Sequence, residues 1–307
     1  MQNRNNLSAS IVLTTYNGSH YIRELLESLV NQSRKIDEVL IYDDCSSDNT
    51  VEIVDEFINE YNLRNQWHLI VNKKNKGWKK NFKDAILEVK TDVVFPCDQD
   101  DVWFNQKVEK MMDYMEKNKK CLLLASDYKI LHEDGVKNYE RIKKQDSQEI
   151  CNVKFDKHFA IGGIRPGCCM AIRMSFVKKI TDHWLDWYPH DSFFWTEAVI
   201  NDGCYLIQED LITFRRHNNS ASTKIRHTRR AHLDAMERTK NIISYYSDYD
   251  NARKRVFEEY LEFAQLRKKL LLERKLFNFF RLIKYHQYYR SVKQEVGDLY
   301  LAIFVKE

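Results

Sequence analysis

Four short apolar runs, each ending in polar residues and each set apart from the next by a helical or polar stretch, occupy the first 100 residues. After the run at residues 10–15 (SIVLTT), Ile22, Leu25, Leu26, Leu29 and Val30 fall on one helical face. After the run at 38–42 (EVLIY), residues 46–50 offer helix N-caps, and Val51, Val54, Ile58 and Tyr61 recur at helical spacing. Residues 67–71 and 92–97 repeat the strand pattern with a helix near 81–89 between them. Strands and helices alternating at this interval imply right-handed crossovers, which predicts an α/β fold with a mostly parallel central sheet covered on both faces.

In open α/β sheets ligands bind beyond the carboxyl ends of the strands. The residues in those positions are polar: Thr15-Tyr16-Asn17, Asp43-Asp44, Asn72 and Asp98-Gln99-Asp100-Asp101. The last group places three carboxylates within four positions directly after an apolar strand. It reads either as an acidic start to the helix expected over 105–115 or as oxygen ligands for Mg2+ or Mn2+ bridging nucleotide phosphates. Its register with the other strand ends favours the metal. Asp43-Asp44 fits hydrogen bonds to a nucleobase or ribose, or a capping pair; Asn17 fits a nucleoside contact or a cap.

Composition narrows the class. Hydrophobic residues at 43%, charged residues at 31%, and only 8 Gly and 3 Pro describe a folded, helix-rich chain. The polar start lacks the apolar core of a signal peptide, and nowhere do 18 apolar residues run together, so secretion and membrane spanning are not expected. Seven cysteines without a CxxC pair fit packed, reduced thiols of a cytoplasmic protein. Past residue 120, strands are expected at 121–126, 168–172 and 205–214, with a charged loop at 132–150. From about 226 the chain turns helical and basic, and residues 251–293 carry twelve Lys/Arg against four Glu, a charge of +8 that leaves −4 for the rest.

The segments Ser10 to Asn17, Ile41 to Thr50 (IYDDCSSDNT) and Cys97 to Trp103 (CDQDDVW) match, in order and spacing, the family 2 inverting glycosyltransferases of GT-A fold, which the chain resembles over about its first 110 residues. The CDQDDVW form is most similar to bacterial rhamnosyltransferase-type enzymes of surface-glycan assembly. The resemblance implies that Thr15, Asn17 and Asp44 contact the nucleoside, that Asp98 faces the ribose or donor sugar, and that Asp100 binds the metal bridging the diphosphate. Pro189-His190-Asp191 is similar to the family's late acidic motif, which makes Asp191 the catalytic base; taken by itself the segment is a helix start. Arg215 to Ser220 resembles a late segment whose histidine lies near metal or diphosphate, so His217 is a candidate ligand, with a structural role as its alternative.

The implied organisation is a GT-A domain at 1–225, with a nucleotide-binding half at 1–110 and an acceptor-side half at 111–225, followed by a basic helical extension at 226–307. The implied partners are a UDP- or dTDP-linked sugar and a glycan, glycolipid or glycoprotein acceptor. The extension fits membrane-surface contact, on the inner face of the cell membrane, a homo-oligomer, or merely a solvated helical lid. No nucleic-acid module accompanies the basic stretch. A nucleotidyltransferase lacks support because no glycine-rich phosphate loop follows the first strand; a non-catalytic, sugar-nucleotide-binding scaffold subunit is the remaining alternative.

Overall fold

The computed structural model describes residues 7–132, 149–155, 165–217, 229–247, 253–289 and 292–305. The chain divides into two compact units, one of residues 1–154 and 162–218, the other of 155–161 and 219–307. Most of the charged stretch expected as a loop at 132–150, the glycines at 162–163 and the tail of the Arg215 to Ser220 segment lie outside the described residues.

The first unit runs β1 (Ala9–Thr15), α1 (Ile22–Val30), β2 (Glu38–Asp43), α2 (Thr50–Glu60), β3 (Trp67–Val71), α3 (Trp78–Glu88) and β4 (Val93–Asp98). It continues with β5 (Val102–Trp103), α4 (Lys107–Lys117), β6 (Leu123–His132), β7 (Ile150–Asn152), β8 (Met170–Arg173), α5 (Met174–Ile180), α6 (His190–Ile200) and β9 (Cys204–Arg216). The strands form one sheet in the order β3-β2-β1-β4-β8-β6-β9-β5, with β7 on β9. β3, β2, β1 and β4 are parallel, as are β6 and β9. β8 enters antiparallel between β4 and β6, so the sheet is a parallel block extended by mixed strands.

Every residue of β1 is buried, which is why its sequence is a continuous apolar run rather than an alternation. The α1 face is buried at Ile22, Leu25, Leu26 and Leu29, as its spacing requires. In α2 the buried positions are Thr50, Val54, Phe57 and Ile58, while Tyr61 is exposed just past the helix and stacks on Phe57 at 4.4 Å. The strand expected at 168–172 begins only at Met170, because residues Gly167–Cys169 form a 3-10 turn closed by Cys169 N–H to Pro166 O. The seven cysteines are free, and all but Cys45 are buried.

The second unit is helical: α7 (Arg229–Ser247), α8 (Lys254–Glu273), α9 (Leu276–Leu282), a 3-10 turn (Ile283–Tyr288) and α10 (Val292–Ile303). Its core gathers Phe257, Phe263, Leu270, Leu282, Tyr285 and Leu301. Inside it Arg267 makes two bonds to Asp298, Nε to Oδ2 at 2.5 Å and Nη2 to Oδ1 at 2.9 Å, with Tyr289 O–H donating to the same carboxylate at 3.1 Å.

Candidate active site

The register places Thr15 beside Asp43 and Thr14 beside Asp98, so three strand ends open on one edge of the sheet. Thr15 Oγ1 donates to Asp43 Oδ2 at 2.8 Å, and Ser46 donates to the same carboxylate through both its N–H and its hydroxyl. Asn17 has φ 49°, a left-handed conformation that Asn tolerates well. It joins the β1 and β2 loops: its N–H donates to Ser46 Oγ at 2.9 Å, and its Oδ1 accepts Ser47 N–H at 2.8 Å. It therefore caps neither α1 nor α2.

Asp44 is buried and shapes the loop before α3. Its Oδ1 accepts Asn72 Nδ2 at 3.0 Å and Lys76 N–H at 2.8 Å, and its Oδ2 accepts Gly77 N–H at 2.8 Å. Gly77 (φ 81°, ψ 144°) occupies a backbone region that side-chain-bearing residues avoid. That conformation turns the amide toward Asp44.

At the end of β4 the three aspartates part company. Asp100 Oδ2 lies 2.8 Å from His217 Nε2, so two residues anticipated as ligands meet. Asp101 turns inward, with Oδ1 accepting Arg215 N–H at 3.0 Å. Its Oδ2 is buried without a hydrogen-bond partner, and the weak Cys168 thiol, which bears on the same carboxyl, does not meet that demand at bonding geometry. One oxygen of Asp98, one of Asp101 and Cys168 Sγ lie within 4.8 Å of one another.

Asp98 keeps a partly exposed edge, yet protein surrounds its carboxylate. Burial, then the charges of Asp100 and Asp191, raise its pKa to about 7. Burial followed by Asp100 and Asp98 pushes Asp101 well above the carboxylate range. Acidic groups this crowded, one with an orphaned buried oxygen, fit a divalent cation: carboxylate oxygens suit Mn2+ or Mg2+, and a cation would remove the repulsion.

Asp191 sits in the first turn of α6, where Oδ1 accepts Ser192 N–H at 2.6 Å. The segment leading to α6 is held by α3, through Lys83 Nζ to Asp186 Oδ1 at 2.7 Å and to the Trp184 carbonyl. His190 is wedged beneath, its ring 4.0 Å from that of Phe82, with neither nitrogen hydrogen-bonded. A Cβ on Gly167 would come within 2.1 Å of His190 Nε2, so this glycine makes room for the ring. Burial lowers the His190 pKa to about 4.

Several residues of the site were given no role by the sequence pattern, although Tyr16, Gln99 and Arg215 lie within its motifs. Gln99 Oε1 accepts Tyr16 N–H at 2.7 Å and Gln99 Nε2 donates to Tyr16 O at 3.1 Å, a strand-like bridge from the acidic loop to the end of β1. Arg215 fastens the acidic loop from behind, through Nε to Asp100 O at 2.9 Å and Nη2 to Glu24 Oε2 at 2.6 Å. Lys107 is buried with Nζ 3.4 Å from the Trp103 ring centroid and donates to the Cys168 carbonyl, fixing the 167–169 turn against the acidic end.

With this geometry in hand, comparison with known proteins is specific. The family model described as glycosyl transferase family 2 matches residues 10–181. The dTDP-rhamnosyl transferase RfbG of Shigella flexneri is 31% identical over 221 residues, covering 68% of this chain and 72% of that protein. Among solved structures, S. aureus TarS 1-349 in complex with UDP-GlcNAc aligns over 97% of this chain and 82% of its own, with TM-score 0.64 at 17% identity. The mannosyltransferase PcManGT from Pyrobaculum calidifontis, in complex with GDP-Man and Mn2+, aligns over 97% and 86% with TM-score 0.53 at 13% identity. The structural likenesses carry the fold, the match over residues 10–181 and the rhamnosyl transferase relative carry the family, and together they place this chain in glycosyltransferase family 2.

Proposed function

We propose that this glycosyltransferase moves a sugar from a UDP- or dTDP-linked donor to an acceptor hydroxyl with inversion, in the assembly of a bacterial polysaccharide or glycoconjugate. The reading is supported by the carboxylates and imidazole gathered at the acidic end of β4, where Asp100 Oδ2 lies 2.8 Å from His217 Nε2, and by the charge of Asp191 bearing on Asp98 from a helix some 90 positions away. A single displacement needs a leaving diphosphate neutralised on one side and a base on the other, roles that the acidic end of β4 and Asp191 would fill.

In this reading the nucleoside lies across the ends of β1 and β2. Thr15 and Asp44 order the loops that receive it, and Asn17 lines the edge they create. Asp98 faces the ribose or donor sugar. Asp100 and His217 would hold Mn2+ or Mg2+, whose charge would stabilise the departing diphosphate. Asp191 accepts the proton of the acceptor hydroxyl as the glycosidic bond forms. Similarity to a dTDP-rhamnosyl transferase makes dTDP-rhamnose the first donor to test, with UDP-hexoses next. The acceptor is a glycan, glycolipid or glycoprotein, and the basic helices of the second unit would suit a membrane surface.

Asp191→Asn keeps the shape and removes the basic oxygen. General-base catalysis contributes on the order of 10² to 10⁴ in rate, so transfer falls by that range while donor affinity, by calorimetry with Mn2+, stays within about threefold. Wild-type transfer by the variant, or loss of donor binding, would refute the assignment.

A further inference from the structure

The helices of the second unit bury one side and leave another bare. Along α9 and the turn after it, Leu282, Tyr285 and Tyr288 are buried, the two tyrosine rings within 6.3 Å and 5.8 Å of Phe263. Phe277, Phe280 and Ile283, three positions apart, point the other way and are 69%, 65% and 54% exposed. α10 repeats the pattern: Leu301 and Ala302 are buried, while Val296, Tyr300 and Phe304, four apart, are 56%, 57% and 67% exposed. Arg274 donates to Ala302 O at 2.8 Å and Ile303 O at 2.9 Å, and His286 Nδ1 lies 2.6 Å from Glu295 Oε2. These ties join the C-terminal end of α10 to the residue that closes α8, and the start of α10 to the turn after α9.

The exposed charges on α9, the turn and α10 are basic, while Glu273, exposed just before α9, lies 3.9 Å from Lys275. Arg281, Lys284 and Lys293 are exposed among the aromatic and aliphatic side chains. The two acids of the same described stretch are taken up elsewhere, Glu295 by His286 and Asp298 by the buried Arg267. A second copy docked symmetrically on this face would set Arg281, Lys284 and Lys293 against their own counterparts. An anionic lipid surface meets both features: aromatic and aliphatic side chains enter the headgroup boundary, and basic side chains reach the phosphates. We propose that the α9–α10 face is a peripheral docking surface for anionic membrane. No helix of the described residues is long and apolar enough to cross a bilayer. The surface would hold the enzyme where a lipid-anchored acceptor presents its hydroxyl. The proposal stands on these helices and not on the transfer chemistry, so either can fail without the other.

The test is flotation of the full chain with phosphatidylcholine vesicles, pure or containing phosphatidylglycerol. Each basic side chain near an anionic surface strengthens binding by about fivefold, so three give a preference of roughly a hundredfold for the anionic vesicles, weakening as salt is raised. The combined Phe277→Ser, Phe280→Ser and Phe304→Ser variant loses flotation while its melting temperature and donor binding are kept. Arg281→Glu, Lys284→Glu and Lys293→Glu together leave the aromatic side chains in place and abolish the anionic preference. Equal partition to both vesicle types overturns the proposal. So does a concentration-dependent dimer that the serine variant dissociates, with no flotation by wild type.

Discussion

Asp100 Oδ2 and His217 Nε2, 117 positions apart in the sequence, lie 2.8 Å from each other. The contact closes the end of β9 over the acidic loop, and Arg215 holds the same loop two residues earlier. If the two side chains serve one cation, their removal is not additive. Asp100→Asn and His217→Gln should each lower Mn2+ affinity at least about tenfold by calorimetry, and the double variant should lose less than the product of the two.

Gln99 and Tyr16 give a second test. A Cβ on Gly18 would sit 2.3 Å from Gln99 Oε1, the free end of a flexible side chain. Gly18→Ala should therefore displace Gln99 from Tyr16 and leave the core intact. Losing two neutral hydrogen bonds that shape the nucleoside edge should raise the donor KM by about tenfold, with a melting temperature close to wild type. Gln99→Ala should reproduce the KM effect.

His190 sets a stability that depends on pH. Its folded pKa of about 4 lies below the ordinary 6.5, so the folded state binds fewer protons and unfolding takes one up between those values. Stability is full above pH 6.5, falls as pH drops toward 4, and levels off below; the total is on the order of 3 kcal/mol. The difference in unfolding free energy between wild type and His190→Gln should shift by that amount across the window. A constant difference would show that the imidazole is not held neutral.

In the second unit, Asp298→Asn leaves Arg267 charged and buried among Phe263 and Tyr289. Removing one partner of a buried pair costs about 3–5 kcal/mol, so this single change should unfold the helical unit well before the first in a thermal scan. Replacing both residues by apolar ones should recover much of the loss.

The parallel half of the fold was legible because β1 and β4 are buried almost throughout and its helices bury one face, even though the edge strand β3 is partly exposed. β1, β2 and α1 could be read from periodicity alone. β5 could not: two residues inside an acidic motif pair with β9 more than 100 positions later, and nothing local requires it. The acidic motif announced a site, and only the family resemblance divided roles between Asp98 and Asp100; the inward turn of Asp101 was not legible. Asp100 faces His217, Asp101 turns inward to Arg215 N–H, and that division depends on contacts from residue 215 onward. Cys168 and Lys107 reach the same place through the 167–169 turn, and a lone thiol or a helix-start lysine carries no period. Pro189-His190-Asp191 was visible as a motif, whereas the burial of His190 against Phe82 and Gly167 is a product of how α6 packs on α3.

Cation-dependent sugar transfer at the acidic end of β4 is the reaction we propose for this chain. It is tested most directly by the products released from dTDP-rhamnose and UDP-hexoses with Mn2+ or with excess EDTA. Wild type should release nucleoside diphosphate and no pyrophosphate, EDTA should suppress it, and Asp100→Asn should lower turnover by at least about two orders of magnitude. Undiminished turnover in EDTA, pyrophosphate as the product, or no release with any donor would contradict the account.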